Sequence, residues 1–278
     1  MRIVTTVAEM RRARREMAGS VGLVPTMGAL HEGHLSLVRH ARAHDDTVVA
    51  SIFVNPTQFG PGEDYARYPR DPDRDLALLR DAGTDLVFMP PAEDVYPEGF
   101  DTYVQVEKLT QGLEGAHRPG HFRGVATVVT KLFNVVQPDR AYFGQKDAQQ
   151  LAVIRRLTRD LDLPVEVVGL PTVREPDGLA MSSRNMYLSP KERKAAVVVY
   201  RSLEAAQELW RSGVHDASRI RGRMSDVLAT EPLARIDYVS VADAETLEEL
   251  ETVDRPALAS LAVRIGKTRL IDNVTLTT

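Results

Sequence analysis

The sequence predicts an α/β protein in which a parallel sheet with crossover helices is followed by a smaller α+β domain. Three observations lead to this fold class. Over the first part of the chain, short apolar and β-branched runs alternate with longer helical patterns, as in parallel sheets whose strands are joined by helices. The alternation of strands and helices ends after Gly169, where turn signals and a new helix start appear. The 278 residues are 43% hydrophobic, which is enough apolar mass for two cores.

Six short apolar runs are the predicted strands of the first part. They are residues 21–24, 47–54, 85–89, 103–106, 141–143 and 165–168. The clearest helix between them has one apolar face, which we expect to pack on the sheet. The residues of that face are Val125, Val128, Val129, Leu132 and Val136. A second helix is expected to begin near Asp147, because Asp147 and Gln150 have the spacing of a capping box.

The predicted domains are residues 1–172 and residues 173–278. Residues 175–178 read Glu-Pro-Asp-Gly, which is typical of a turn, and Ser189-Pro190 followed by Glu192 is a strong helix start. Two helices and then three strands are expected after it, the strands at residues 236–241, 258–265 and 269–271. Gly266 and Lys267 should join the last two strands as a hairpin.

Composition and charge exclude several classes of partner. A net charge of −4 gives no basic surface for neutralising a phosphate backbone, so no nucleic-acid partner is expected. The chain has no cysteine, which removes disulfides and thiol nucleophiles and suits a reducing compartment. Residues 1–6 lack a leader pattern, and no stretch approaches the about 20 apolar residues of a membrane span. We therefore expect a cytoplasmic protein without a membrane partner.

The most informative stretch is residues 24–34, which read VPTMGALHEGH. It is a strand-to-helix turn at the carboxyl edge of the sheet, where open sheets bind ligands and a helix N-terminus attracts phosphate. Because no Ser, Thr, Asp or Asn stands at the helix start, its N–H groups are expected to be uncapped. Gly28 and Gly33 allow close backbone approach, and His31 and His34 share one helix face. Together these features predict a polyphosphate site.

Two alternatives stay open for the histidine pair. In the first, His31 only caps the helix, His34 is a partly buried surface residue, and the glycines serve the turn. In the second, the histidines bind a metal. The metal ranks last, because no Asp, Glu or Cys of suitable spacing accompanies them.

A second polar cluster, residues 143–150, follows a strand at the same edge of the sheet and reads FGQKDAQQ. Lys146 could reach phosphate as a compact charge, Asp147 could accept from a ribose hydroxyl, and Gln150 could orient a substrate. The alternative is that Asp147 and Gln150 only cap their helix and that Lys146 is a solvated surface charge.

Two further loops carry candidate ligands. Residues 181–185, Met-Ser-Ser-Arg-Asn, combine two hydroxyls with a guanidinium, which suits a mobile phosphate clamp. Residues 51–60 end a strand in amide side chains beside a rigid turn, and Asn55 and Gln58 could bind a small polar acid there. Taken alone, each segment is also ordinary loop composition.

Four segments in this order and spacing carry a family resemblance: VPTMGALHEGHLSLV, SIFVNPTQFG, YFGQKDAQQ and MSSRNMYL. His-x-Gly-His with a distant Met-Ser-Ser-Arg resembles the nucleotidyltransferase superfamily that includes class I aminoacyl-tRNA synthetases. Within that superfamily the chain is similar to the pantoate-beta-alanine ligase family over nearly its whole length. The resemblance implies a Rossmann-like first domain, a smaller lid domain, Mg²⁺ with ATP as a substrate, and a homodimer.

The resemblance also implies a reaction in two steps on the small-molecule partners ATP, pantoate and β-alanine. The pantoate carboxylate attacks the α-phosphorus of ATP and gives pantoyl-adenylate and pyrophosphate. The β-alanine amine then attacks the acyl carbon and releases AMP and pantothenate.

Carried over residue by residue, the resemblance assigns roles to positions of this chain. The ATP phosphates would be held by His31, His34, Lys146, Ser182, Ser183 and Arg184. The nucleotide site would be lined by Met27, Gly144, Val173 and Met181, with Asp147 on the ribose hydroxyls. Pantoate would be bound by Gln58 and Gln150, with Asn55 as a further candidate and Arg118 as a contact for an anionic group. A carboxylate ligand for Mg²⁺ would come from Asp73 or Asp75, which are separated by an arginine.

Functions of other classes compete with this one. A nucleotidylyltransferase that joins AMP or CMP to a phosphorylated acceptor would use the same histidine motif, but it would not require pantoate for exchange of pyrophosphate into ATP. A catalytically silent nucleotide-binding module would bind without pantoate-dependent release of pyrophosphate. An aminoacyl-tRNA synthetase is disfavoured by the short chain, the absence of an anticodon-binding region and the acidic charge balance.

Overall fold

The computed structural model describes residues 1–277 and contains the expected parallel sheet. Its strands are β1 (Arg2–Val4), β2 (Val21–Thr26), β3 (Thr47–Ile52), β4 (Leu86–Phe88), β5 (Arg140–Gly144) and β6 (Glu166–Leu170). They pair in parallel in the order β1-β4-β3-β2-β5-β6. The order extends from β2 through β3 to β4 on one side and from β5 to β6 on the other. The reversal between β2 and β5 marks the crevice at which sheets of this kind bind ligands.

The helices of residues 1–277 connect and cover the strands. They are α1 (Val7–Glu16), α2 (Glu32–His44), α3 (Pro72–Asp81), α4 (Ala92–Val95), α5 (Glu114–His117), α6 (His121–Val136), α7 (Ala148–Asp160), α8 (Pro190–Ala195), α9 (Val197–Arg211) and α10 (Ala217–Ala229). Among these residues, no helix is both long enough and apolar enough to cross a membrane.

The chain folds into two compact units. The first unit comprises Met1–Thr110, Gly115–Gly144 and Gln150–Pro171. The second unit comprises Gln111–Glu114, Gln145–Gln149 and the chain from Thr172 onwards. Two short segments that precede residue 150 therefore pack within the second unit. The domain division between residues 172 and 173 stays a prediction, because these units describe packing and not independent folding.

Both faces of the parallel sheet are covered in the first unit. Along β3, Val49 belongs to one apolar cluster, whereas Val48 and Ala50 belong to another, as the alternation of a strand requires. Helices α1, α6 and α7 supply the first cluster, and α2 and α3 supply the second. The apolar face predicted for the helix at residues 125–136 is confirmed, because all five of its residues are buried.

The strand predicted at residues 103–106 is wrong, because these residues lie outside the sheet. Val104 and Val106 pack against the core of the first unit, and the Val104 N–H donates to Thr127 Oγ1 at 3.0 Å. The alternating pattern therefore reflects partial burial of Val104 and Val106 without a strand partner. The three-residue strand β1 at the edge of the sheet was not predicted.

The second unit is built on an antiparallel sheet, as the α+β pattern predicts. Its strands are β7 (Ala234–Asp243), β8 (Ala257–Ile265) and β9 (Thr268–Leu276), in the order β7-β8-β9. Helices α9 and α10 pack their apolar faces on it. Two sequence signals are confirmed: the capping box of Ser189 and Glu192 at the start of α8, and the hairpin through Gly266 and Lys267. Strand β9 is longer than the predicted residues 269–271.

Candidate active site

The start of α2 is capped by two imidazoles. His31 is the N-cap residue, and its Nδ1 accepts from the Gly33 N–H at 3.2 Å. The His34 Nδ1 accepts from the His31 N–H at 3.3 Å, which completes a capping box. The expectation of an uncapped helix is therefore wrong, because an imidazole nitrogen can accept a backbone N–H as a hydroxyl or carboxylate does.

This cap also settles which ring nitrogen of each histidine is the donor. Because each ring accepts through Nδ1, the neutral imidazole carries its proton on Nε2. The two rings lie with their centroids 4.1 Å apart, so the pair offers two imidazole donors at the start of α2. Capping and phosphate binding are therefore compatible functions of His31 and His34.

The turn before His31 is held by a buried carboxylate. Asp75 in α3 is 1% exposed, and its two oxygens accept from the N–H groups of Ala29 and Leu30, each at 2.8 Å. Gly28 and Ala29 have φ values of 83° and 50°, a conformation that L side chains rarely adopt. A Cβ at Gly28 would also lie 3.0 Å from Asp75 Oδ2. Asp75 therefore stabilises a turn in which Ala29 adopts the left-handed conformation.

These contacts bear on the prediction that Asp75 is a candidate Mg²⁺ ligand. Both of its oxygens are engaged by backbone donors, so we assign it to positioning the turn before His31. Asp73, the other candidate, is exposed in the first turn of α3 and stays a prediction. Asp75 carries no local sequence signal for its structural role, because its partners are about 45 residues away.

Asn55 and Gln58 form a buried amide pair after β3. Asn55 is 1% exposed, and its Nδ2 donates to Gln58 Oε1 at 3.0 Å and to the Gly124 carbonyl at 3.1 Å. Its Oδ1 accepts from the Tyr96 hydroxyl at 2.8 Å. Both amide protons of Asn55 are used inside the protein, so Asn55 orients Gln58, and a direct contact of Asn55 with substrate stays a prediction.

The amide of Gln58 is oriented by this pairing. Its Oε1 accepts from Asn55, so Nε2 is the donor group, and it lies 3.1 Å from Met27 Sδ. A donor amide at this position suits the carboxylate or hydroxyl oxygens of a small acid. Met27 and Gln58, predicted from separate segments, are therefore brought together in the first unit.

Arg118 is engaged by a glutamate. Its Nε and Nη2 donate to the two carboxylate oxygens of Glu63 at 2.7 and 2.8 Å. Burial raises the pKa of Glu63, but the hydrogen bonds and charge of Arg118 outweigh burial and hold that pKa below its ordinary value. The guanidinium also lies against His121 Nε2 and the Gln58 carbonyl, and a contact between Arg118 and an anionic ligand stays a prediction.

The first unit also holds Gly144 and Gln150. Gly144 ends β5, and a Cβ placed on it would meet nothing within 4 Å, so the space beside it is open. Gln150 is a half-buried residue in the first turn of α7. The helix predicted to begin near Asp147 begins at Ala148, after a 3₁₀ turn over Gln145–Asp147.

Lys146 and Asp147 belong to the second unit and lie side by side on that 3₁₀ turn. The Lys146 Nζ is 3.7 Å from Asp147 Oδ1, and their side chains are 19% and 46% exposed. The neighbouring Gln149 anchors the segment: its Oε1 accepts from the Glu114 N–H and its Nε2 donates to the Gly112 carbonyl, both at 2.9 Å. The segment therefore presents one cation and one carboxylate from a fixed backbone.

The Met-Ser-Ser-Arg segment forms a short 3₁₀ turn, Ser183–Tyr187, in the second unit. Ser182 is its N-cap, and its Oγ accepts from the Arg184 N–H at 3.3 Å, so the Ser182 hydroxyl keeps its proton for donation. Ser183 is 8% exposed. The Met181 N–H donates to the Val173 carbonyl at 3.0 Å, which places the two predicted nucleotide-lining residues on adjacent backbone.

A magnesium site built by the protein alone does not fit these residues. In residues 1–277, no group of three or more His, Asp or Glu side chains is arranged to hold a metal ion. Mg²⁺ commonly keeps several waters and is bound through one or two carboxylates together with substrate phosphates. A Mg²⁺ ion that enters together with ATP stays a prediction.

The fold and these residues define a nucleotide-binding α/β enzyme with a histidine pair at the switch point of a parallel sheet. A family model described as pantoate-beta-alanine ligase matches residues 2–275. The pantothenate synthetase of Herpetosiphon aurantiacus is 64% identical over 277 residues, which cover 99% of this chain and 100% of the relative. That of Roseiflexus sp. (strain RS-1) is 63% identical over 276 residues, which cover 99% of each chain.

Solved structures agree with these relatives. The crystal structure of pantothenate synthetase from Thermus thermophilus has a TM-score of 0.95 and 57% identity, and 99% of each chain is covered. The pantoate-beta-alanine ligase from Francisella tularensis, complexed with beta-gamma ATP and beta-alanine, has a TM-score of 0.80 and 34% identity, with 99% of this chain and 97% of that chain covered.

This chain belongs to the pantoate-beta-alanine ligase family. It is an ATP-dependent ligase that forms pantothenate from pantoate and β-alanine. The resemblance carried by the four sequence segments is confirmed, and so is the Rossmann-like parallel sheet that it implied.

Proposed function

We propose that the ligase reaction runs through a pantoyl-adenylate and releases pyrophosphate and AMP. In the first step the pantoate carboxylate attacks the α-phosphorus of ATP and pyrophosphate leaves. In the second step the β-alanine amine attacks the acyl carbon, AMP leaves, and pantothenate is formed. The observation that carries the proposal is the imidazole capping box at the end of β2, because it defines two Nε2–H donors at the edge of the sheet where phosphates bind.

The adenylation step develops negative charge on the α-phosphate oxygens and on the departing pyrophosphate. Donors and cations that are fixed in place before the reaction stabilise that charge without reorganisation. The residues to which we assign this role are His31, His34, Lys146, Ser182, Ser183 and Arg184. Backbone contacts hold them: the cap fixes the histidines, Gln149 anchors the Lys146 segment, and Ser182 caps its own turn.

The two substrates of the first step have separate proposed ligands. Gln58 donates its Nε2–H to pantoate, since Asn55 occupies its oxygen, and Gln150 is the second pantoate ligand. Asp147, which is nearly half exposed, accepts from the ribose hydroxyls. The nucleotide is lined by Met27, Gly144, Val173 and Met181. We also propose that residues 173–278 act as a lid that excludes water from the adenylate, and that the enzyme is a cytoplasmic homodimer.

Exchange of labelled pyrophosphate into ATP, measured without β-alanine, tests the proposal. Reversible adenylation predicts exchange that requires pantoate and is lost on its omission. Exchange at the same rate with and without pantoate would indicate a nucleotidylyltransferase. Nucleotide binding without any exchange would contradict the adenylate intermediate. Chromatographic detection of AMP, and not ADP, in the complete reaction provides an independent measurement.

A further inference from the structure

Strand β9 provides a side chain that holds the backbone of the Lys146 segment. Asn273 is 4% exposed, and its Nδ2 donates to the carbonyls of Gln145 and Lys146, each at 2.9 Å. One buried amide thus binds two successive carbonyls of the 3₁₀ turn on which Lys146 lies. Both protons of this amide are used in these contacts, so Asn273 fixes the turn at two adjacent points.

The residue before it in β9 holds the loop that precedes the Ser182 turn. Asp272 is 2% exposed, and its two oxygens accept from Arg174 Nη1 at 2.6 Å and Nη2 at 3.1 Å. Arg174 also donates to the Gly178 carbonyl and lies 4.1 Å from the centre of the Tyr200 ring. The guanidinium is therefore fixed by a bidentate ion pair and a stacked aromatic ring.

Asp272 and Asn273 are also tied to each other. The Asn273 N–H donates to Asp272 Oδ1 at 2.8 Å. Burial raises the pKa of Asp272 above its ordinary value, and the hydrogen bonds and charge of Arg174 oppose this rise. Two adjacent residues near the end of the chain are thus linked to the Lys146 turn and to the loop at residues 172–181.

We propose that Asn273 is a positioning residue for Lys146, and that it sets the place of the Lys146 turn relative to Asp272 and the Arg174 loop. The inference rests on the proposed role of Lys146 in holding the ATP phosphates. The side-chain amide of Asn273 donates to two backbone carbonyls, so its effect on the reaction passes through Lys146. A 1 Å displacement of a group that stabilises the transition state can lower the rate by up to about 10²-fold.

The test is a double-mutant cycle on the pantoate-dependent exchange of pyrophosphate into ATP. Asn273→Ala in the wild-type background is expected to lower kcat by about tenfold, since the turn loses two donors while Lys146 is still present. In the Lys146→Ala background the same change is expected to alter kcat by less than about twofold, because the group that Asn273 positions is already gone.

The matched control is Gln207→Ala, which also removes a side-chain amide that donates to a backbone carbonyl of β9, that of Thr275 at 3.3 Å. It is expected to leave kcat unchanged. Asn273→Ser makes a smaller cavity and keeps one hydroxyl donor, so its kcat should lie between those of wild type and Asn273→Ala. If the alanine variant does not fold, Asn273→Ser replaces it in the double-mutant cycle. Fluorescence of Trp210, the single tryptophan, reports folding of this unit.

The outcomes separate the positioning role from a structural one. If Asn273→Ala lowers kcat equally in both backgrounds, or only shifts the unfolding midpoint while kcat of the folded enzyme is kept, the positioning role is refuted. Wild-type enzyme without pantoate-dependent exchange would instead refute the proposed function. Lys146→Ala with wild-type exchange would refute the role of Lys146, and the role of Asn273 with it.

Discussion

Replacement of Asp75 by asparagine should loosen the turn that leads to the histidine pair. Asn has nearly the same shape, so the substitution leaves the packing of α3 intact and changes only the hydrogen bonds. Its single carbonyl oxygen can accept from Ala29 or from Leu30, and its NH₂ group then faces the other backbone N–H. The charge that strengthens both bonds is also removed.

The expected loss follows from these two contacts. Hydrogen bonds to a charged group contribute about 1.5–3 kcal/mol each, and a buried donor left without a partner adds a penalty. Asp75→Asn loses one bond outright and weakens the other, so we expect the free energy of unfolding of the first unit to fall by about 2–4 kcal/mol. Movement of the turn should displace His31 and lower the rate of pyrophosphate exchange by up to about 10²-fold.

The matched control is Asp71→Asn in the same helix. Asp71 is the exposed N-cap of α3, and its Oδ1 accepts from the Arg74 N–H at 3.2 Å. Asn is as good an N-cap as Asp, so this change should be nearly neutral. Urea unfolding should be followed by far-ultraviolet circular dichroism, because Trp210 lies in the second unit and reports on that unit. If Asp75→Asn unfolds within about 0.5 kcal/mol of Asp71→Asn, the carboxylate does not hold the turn.

Three further outcomes are expected. His34→Ala and Lys146→Ala should each lower turnover in the exchange assay by about 10²- to 10³-fold, the usual effect of removing one preorganised donor, and a wild-type rate in either variant would contradict its assigned role. Amide hydrogen exchange in residues 181–185 should slow when ATP is added, if this segment closes over the nucleotide; identical protection with and without ATP would count against closure. The pKa of Glu63 is lowered in the folded state, so its pair with Arg118 stabilises the fold at neutral pH, and that contribution is lost as pH falls from about 4.5 through the lowered pKa. Glu63→Gln should therefore reduce the acid dependence of the unfolding midpoint, and an unchanged dependence would show that the pair contributes nothing.

The sequence determines the parallel sheet well because burial on both faces leaves a clear signal. Strands β2 and β3 are continuous apolar runs, and the helix at residues 125–136 has a single apolar face. The same reasoning fails at residues 103–106, where alternate side chains are partly buried without a strand partner. It also fails at β1, because three residues are too few to show a period. Periodicity reports which side chains are buried, and only the structure shows what the backbone pairs with.

The residues of the candidate site also fall into those that the sequence predicts and those that it does not. Residues that would touch a ligand stand out in the sequence, because the histidine pair, the lysine and the serine-arginine loop form a pattern typical of phosphate binding. Residues that hold them do not stand out, because their partners are distant in the sequence. Asp75 looks like an ordinary acid in the first turn of a helix, and Asn273 looks like an ordinary polar residue in a strand. Their buried contacts, about 45 and 127 residues away in sequence, are visible only in three dimensions.

Helix capping and phosphate binding by His31 and His34 were competing interpretations of the sequence, and the geometry joins them. A helix start needs acceptors for its backbone N–H groups, whereas a phosphate needs donors. Serine or aspartate at the cap would satisfy the first need, but aspartate would also repel the phosphate. An imidazole accepts the backbone N–H at Nδ1 and thereby places its own proton on Nε2. The contacts that stabilise α2 therefore also fix the donor nitrogen of each ring. A His31→Asn variant, which keeps a capping oxygen but has no ring nitrogen at the position of Nε2, should retain the stability of α2 and bind ATP more weakly than wild type.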